Sequence, residues 1–359
     1  MATRVSSYSK INLGLAIGPV RADGFHSLAT LYQTLALHDV VTVEAKPISG
    51  ESRITLTTNH PQVPTDASNT AWKMVELALA RMGVAAEVAI HIEKDLPVQG
   101  GLGAGSANAA AALIGLEREL GFALPEAERL ELAAEVGSDV PLFLLGGAVL
   151  GTGRGEIVSA MPDLPATWCV IAVPEVGVST PLAFRDWDEK QGTAGVRLTS
   201  PAQPDRLEEL SHVYASVFGV RPATGQTPDT SGIVRGSEES GTRNDLAGNP
   251  LLALVRTGIE NDFETVVFPQ YPLLREIKRL LMGTPAGVSS GALSEAHPAN
   301  SSGNAIYAAL SGSGSALFGL YRTEADASAA QQRVQATGCK AILTETLPRQ
   351  EYWRRMFAE

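Results

Sequence analysis

Apolar and polar residues alternate over positions 10–17, with Ile11, Leu13, Leu15 and Ile17 on one side and Asn12, Gly14 and Ala16 on the other. That is the period of a β-strand. A longer mixed run over 31–44 predicts a second strand, bent near His38 and Asp39. Asp66-Ala-Ser-Asn-Thr supplies cap residues for a helix that reaches Met82 and stops at Gly83. Alternation returns over 87–93, where Val88, Ile90 and Ile92 share a face. An alanine- and leucine-rich helix follows over 109–120, closed by Gly121, and Pro125 is suited to the first turn of another that ends before Gly137. The apolar run 140–150 predicts a strand, as do 166–174, 315–321 and 340–347. Helices are predicted over 250–257, 261–268, 272–282 and 324–336. Periodicity fades over 188–245, apart from one helix expected at 208–218, and residues 283–304 read as a Gly/Ser/Ala loop. No repeat of fixed period is visible.

The 359 residues suggest two domains at about 150 residues each, here divided as 1–163 and 164–359. A hydrophobic fraction of 44% with 19% charged residues excludes general disorder. A net charge of −11 argues against a surface that wraps nucleic acid, so an anionic ligand must be met by a few local cations and backbone amides. Cys169 and Cys339 are too few for a disulfide framework or a zinc site. Their apolar, strand-like settings predict buried free thiols, which suits a cytoplasmic location. Residues 96–116 carry no formal charge but are broken by Gln99, Ser106, Asn108 and glycines, so no membrane span is expected. The short apolar stretch 11–20 alternates like a strand instead of forming a signal-peptide core.

The densest chemistry lies at Pro97-Val-Gln-Gly-Gly-Leu-Gly-Ala-Gly-Ser-Ala-Asn108, which follows a predicted strand and opens a predicted helix. Glycines let backbone N–H groups converge on a phosphate, and a helix N-terminus adds about half a positive charge. No lysine follows a glycine anywhere in the chain, which excludes a Walker A loop. Ser106 stands where a dinucleotide fingerprint needs Gly or Ala. The cation that meets the phosphates must come from elsewhere, and Lys10, beside Asn12 on the first strand, is the best candidate.

This loop resembles the second motif of the superfamily of galactokinase, homoserine kinase, mevalonate kinase and phosphomevalonate kinase (GHMP kinases). The start, Ser9-Lys10-Ile11-Asn12-Leu13-Gly14-Leu15 and then Arg21-Ala-Asp-Gly-Phe25-His26, is similar to members that act on a cytidine diphosphate-linked methylerythritol in non-mevalonate isoprenoid synthesis. Gly137-Ser-Asp139-Val-Pro-Leu-Phe143, Gly151-Thr-Gly-Arg-Gly-Glu156 and Leu310-Ser-Gly-Ser-Gly-Ser315 follow in the family's order.

The resemblance implies a two-domain α+β fold, with an N-terminal half like the second domain of ribosomal protein S5 and a ferredoxin-like C-terminal half. It also implies transfer of a phosphoryl group from ATP, with Mg2+, to the 2-hydroxyl of that small molecule, by a monomer or weak homodimer. It places Lys10 and Asp139 in catalysis. Asp139 follows a predicted helix end, where a carboxylate can accept a hydroxyl proton. ATP falls to Pro97, Gly100, Gly101, Leu102, Gly103, Ala104, Gly105, Ser106 and Asn108. The substrate falls to Asn12, Phe25, His26, Thr180, Phe184, Arg185, Gly312 and Ser313, with Phe25 and Phe184 sandwiching the cytosine and His26 at its edge. No metal ligands are assigned, nor any role for 190–250 and 284–304. Gln99, Ala104 and Ala107 depart from the family pattern, as does Phe25 where Tyr is common. Ala104 is expected to be strained if its position needs positive φ. Competing readings are a homoserine or mevalonate kinase of the same superfamily and a nucleotide-binding regulator without catalysis.

Overall fold

The computed structural model describes residues 2–98, 100–193, 255, 259–283 and 303–358. The helix expected at 208–218, nearly all of that at 250–257 and most of the loop at 283–304 lie outside them.

Two long antiparallel strands, β1 (Thr3–Val20) and β2 (His26–Pro47), form the spine of the first sheet. That sheet also holds β3 (Arg53–Thr58), β4 (Ala86–Glu93), β5 (Ala148–Thr152) and β6 (Ile157–Ala160), in the order β3-β4-β2-β5-β6 with β1 paired to β2. Register slips between Tyr8 and Lys10, and again between Asn12 and Gly14. Such bulges re-aim side chains, and here they bracket Lys10 and Asn12.

Helix α1 (Thr70–Met82) starts where the Asn69 side chain accepts the Ala71 N–H at 2.9 Å, and it ends at Gly83. Its buried residues Ala71, Met74, Val75, Ala78 and Leu79 follow the helical period. Helix α2 (Ala104–Leu120) buries Ala107 and Ala109 through Ala112, small residues that let the helix lie close over β1 and β2. Helix α3 (Glu126–Val136) completes the layer.

The second sheet is antiparallel, in the order β10 (Lys340–Glu345), β7 (Trp168–Val173), β9 (Leu317–Tyr321), β8 (Tyr307–Leu310). Around its core lie residues of α4 (Thr180–Thr193), α5 (Glu264–Gln270), α6 (Pro272–Met282) and α7 (Glu324–Gln335). A third apolar cluster joins the halves, in which Ile11, Leu13 and Leu102 meet Cys169, Ile171 and Phe318. Helix α8 (Arg349–Arg354) brings the chain's end back to the first sheet, where Tyr352 donates to the Phe143 carbonyl at 2.6 Å.

Some sequence expectations change. Residues 140–150 are not one strand: Pro141–Leu144 is a 3-10 turn and β5 begins at Ala148. Proline lacks the N–H a strand ladder needs. The strand expected from 315 begins at Leu317. Cys169 is buried as expected, and burial pushes its thiol pKa up, whereas Cys339 is only half-buried. Strands β3 and β6 and helices α4 and α8 are absent from the sequence reading, although Ile54 and Leu56 of β3 alternate with Arg53, Thr55 and Thr57.

Candidate active site

The seam between the halves brings two glycine loops together. Residues 100–103 run into α2 with positive φ at Gly100, Gly101 and Gly103. A Cβ at Gly101 would lie 2.1 Å from the Ser311 carbonyl oxygen, so only glycine admits the second loop at this distance. Ser311 Oγ donates to the Gly101 carbonyl at 3.0 Å, and the Ala316 N–H donates to Gly100 at 3.1 Å. Asn261 braces that second loop from behind, its amide donating to Leu310 at 2.9 Å and to Gly312 at 2.7 Å.

Ala104 is the first residue of α2, and no described non-glycine residue has positive φ. The strain expected there is therefore absent, because the left-handed turn falls on Gly103. The first N–H groups of α2 have no partner within the helix, and no side chain caps it. Backbone donors and the helix dipole thus point toward one place, a setting that holds phosphate.

Lys10 is 2% exposed, and its amide donates to the Leu102 carbonyl at 3.0 Å, which ties β1 to the loop. Its Nζ donates to Asn12 Oδ1 at 2.7 Å and lies 3.2 Å from Asp139 Oδ2. Asn12 donates in turn to Thr30, which donates to the Gly14 carbonyl. Asp139 follows α3 and precedes the 3-10 turn, and its side chain is 32% exposed. Tyr32, on β2, donates its hydroxyl to Asp139 Oδ1 at 2.9 Å. Burial first, and then the Asp139 charge, hold the Tyr32 phenol well above its ordinary pKa. Gly312 completes the cluster: a Cβ there would lie 3.7 Å from Lys10 Nζ and 3.9 Å from Gly101 Cα. An ammonium, a carboxylate with an open side and an amide-lined loop can together hold a triphosphate and take a proton from an alcohol.

Pro97, Gly105 and Ser106 flank the loop and retain surface exposure, whereas Leu102 and Asn108 point into the interior. Asn108 Oδ1 accepts from Ser7 at 2.6 Å, so its side chain serves the packing of α2. Thr180 and Ser313 meet through their hydroxyls at 2.6 Å. His26 stacks on Phe184 with ring centroids 4.8 Å apart, while Phe25 is 52% exposed with the Arg154 guanidinium 5.1 Å from its ring centre. Arg185 stands on the surface against Asp186 and Glu189, its side chain 61% exposed.

Sequence reasoning missed Tyr32, Thr30, Asn261 and Asp188, the last of which pairs with His26. Of these, only Tyr32 falls in a strand expected from sequence, the mixed run 31–44, and nothing there marks its side chain as facing the site. Among the described residues, no group of three or more His, Cys, Asp or Glu is arranged to hold a metal ion, and no helix is long and apolar enough to cross a membrane.

The family profile described as GHMP kinases N terminal domain matches residues 69–147, and the one described as GHMP kinases C terminal matches 299–339. The fold is that of a GHMP kinase. A 4-diphosphocytidyl-2-C-methyl-D-erythritol kinase of Caldicellulosiruptor saccharolyticus is 31% identical over 95% of this chain and 96% of its own length. One of Heliobacterium modesticaldum is 33% identical over 97% and 96%. The chain belongs to this family of kinases. A crystal structure of a 4-(cytidine 5'-diphospho)-2C-methyl-D-erythritol kinase matches with TM-score 0.61 at 25% identity, covering 96% of this chain and 98% of the other. A homoserine kinase from Cytophaga hutchinsonii matches with TM-score 0.62 at 18% identity, covering 97% and 95%. Backbone shape is thus common to the superfamily, and sequence carries the distinction within it.

Proposed function

We infer that the protein transfers the γ-phosphoryl group of ATP to the 2-hydroxyl of 4-diphosphocytidyl-2-C-methyl-D-erythritol, giving the 2-phosphate and ADP. The observation that carries this reading is the Lys10–Asp139 pair, 3.2 Å apart, beside the amide-lined loop. The triphosphate lies against the N–H groups at 100–106. Asp139 accepts the hydroxyl proton as the oxygen attacks the γ-phosphorus. Tyr32 fixes one carboxylate oxygen and leaves the other facing Lys10. The Lys10 ammonium, anchored by Asn12, stabilises negative charge gathering on the attacking oxygen and the phosphoryl group.

Mg2+ would accompany the nucleotide, since that ion keeps several waters and is held largely by phosphate oxygens. Ser106, in the first turn of α2, would meet it or the phosphate, and the ion would supply charge neutralisation on the phosphates. Phe25 and Phe184 flank the cytosine, His26 bonds its edge, and Thr180, Arg185, Gly312 and Ser313 line the path of the diphosphate and the erythritol. The division at 163/164 separates a nucleotide-holding half from a half that closes the substrate side, in a cytoplasmic enzyme.

A coupled ADP-release assay with the cytidyl substrate, homoserine and mevalonate as separate acceptors tests this reading. Release with the cytidyl compound alone is expected. Release only with homoserine or mevalonate assigns another kinase activity, and ATP binding without ADP release from any acceptor assigns a regulator.

A further inference from the structure

His26 opens β2 and is almost entirely buried. Its ring is held in two ways by α4. One face lies on Phe184, 4.8 Å between centroids and 13° from parallel, and Phe184 itself rests against the edge of Phe263 at 4.9 Å. Nε2 lies 2.8 Å from Asp188 Oδ1. Phe184 and Asp188 are four positions apart, so one face of α4 presents both the apolar plate and the carboxylate.

We propose that Asp188 is a positioning residue that fixes the tautomer of His26 and thereby selects a 4-amino pyrimidine over a 4-oxo pyrimidine. An ionised carboxylate only accepts hydrogen bonds, so Nε2 carries the proton and Nδ1 of the neutral ring presents a lone pair. No described residue hydrogen-bonds to Nδ1. The amino group at C4 of cytosine is a donor, whereas the oxygen at C4 of uracil is an acceptor. Nδ1 therefore pairs with cytosine and opposes uracil, acceptor against acceptor. A base bonded to Nδ1 lies in the imidazole plane, which runs nearly parallel to Phe184. The Asp188 side chain is 50% exposed, so solvent screens its charge and its directional hydrogen bond does the selecting. The inference rests on the proposal that the substrate carries a cytidine.

The test compares kcat/KM for the cytidyl substrate and its uridyl analogue in the wild type, Asp188→Ala and Asp188→Asn, with 15N NMR of the His26 ring in each. The wild type should prefer the cytidyl compound by ~10–100-fold, the discrimination of a good base-edge contact. Asp188→Ala should lose about tenfold of that preference through KM for the cytidyl substrate, with kcat and KM for ATP unchanged. Asp188→Asn retains an oxygen acceptor and should restore most of it. NMR should show the proton on Nε2 in the wild type and a tautomer mixture in Asp188→Ala. An undiminished preference in Asp188→Ala, or a wild-type ring protonated on Nδ1, overturns the inference. A wild type that phosphorylates neither pyrimidine compound overturns instead the functional reading beneath it.

Discussion

The hydroxyl of Tyr32 donates to Oδ1 of Asp139 at 2.9 Å, so that one carboxylate oxygen is occupied from the sheet while the other faces Lys10. Burial keeps the Tyr32 phenol protonated far above neutral pH, so it remains a donor throughout the working range. Hydrogen bonds to charged groups contribute ~1.5–3 kcal/mol. Tyr32→Phe should therefore lower kcat by ~10–100-fold with KM for ATP unchanged, as read in steady-state ADP release. An unaltered kcat would remove Tyr32 from the orientation of the carboxylate.

Gly103 and Gly121 share a left-handed backbone but differ in their surroundings. At Gly103, φ is +73° and a Cβ would lie 2.9 Å from Phe143 Cζ and 3.0 Å from Lys10 Cγ. At Gly121, φ is +65° and nothing lies within 4 Å of the built Cβ. Gly121→Ala should cost ~1–2 kcal/mol in urea unfolding, the backbone strain alone, and leave turnover intact. Gly103→Ala should cost more and should also displace Lys10, lowering kcat at least tenfold. Equal kinetic behaviour of the two variants would show that the loop does not position the lysine.

Lys94 and Asp39 form a buried clasp at the entrance to the loop. Lys94 Nζ donates to Asp39 Oδ2 and to the Leu96 carbonyl, each at 2.8 Å, while Asp39 Oδ1 accepts the N–H groups of Asp95 at 2.8 Å and Leu96 at 2.7 Å. Desolvation holds the Lys94 pKa below its ordinary value, and the Asp39 charge opposes that shift. Lys94→Met leaves a buried carboxylate without its counter-charge and should destabilise the protein by ~3–5 kcal/mol while raising KM for ATP. Adding Asp39→Asn should recover part of the stability. A double variant as unstable as the single one would show that the uncompensated charge is not the cause.

Much of this architecture is written in local pattern. The alternation of Ile11, Leu13, Leu15 and Ile17 marks β1, Asn69 and Gly83 mark the ends of α1, and the glycines at 100–105 mark the loop, because each depends on near neighbours in the chain. The contacts that finish the site do not. Tyr32 reaches Asp139, and Asn261 reaches Gly312, only after distant segments have packed. Asn108 stands beside the loop in sequence, yet its side chain turns inward to Ser7, since α2 buries that face against β1. The bulges around Lys10 likewise depend on pairing with β2, so sequence identified the lysine but not its burial.

In the proposed mechanism a hydroxyl loses its proton to Asp139 while Lys10 and the loop hold the reacting groups. ADP release with the cytidyl substrate, measured for the wild type and for Asp139→Asn alongside ATP binding, tests it most directly. The substitution should reduce kcat by ~10²–10⁴-fold, the usual share of general-base catalysis, and leave ATP affinity within about twofold. An Asp139→Asn enzyme with wild-type turnover would show that Asp139 does not take the proton.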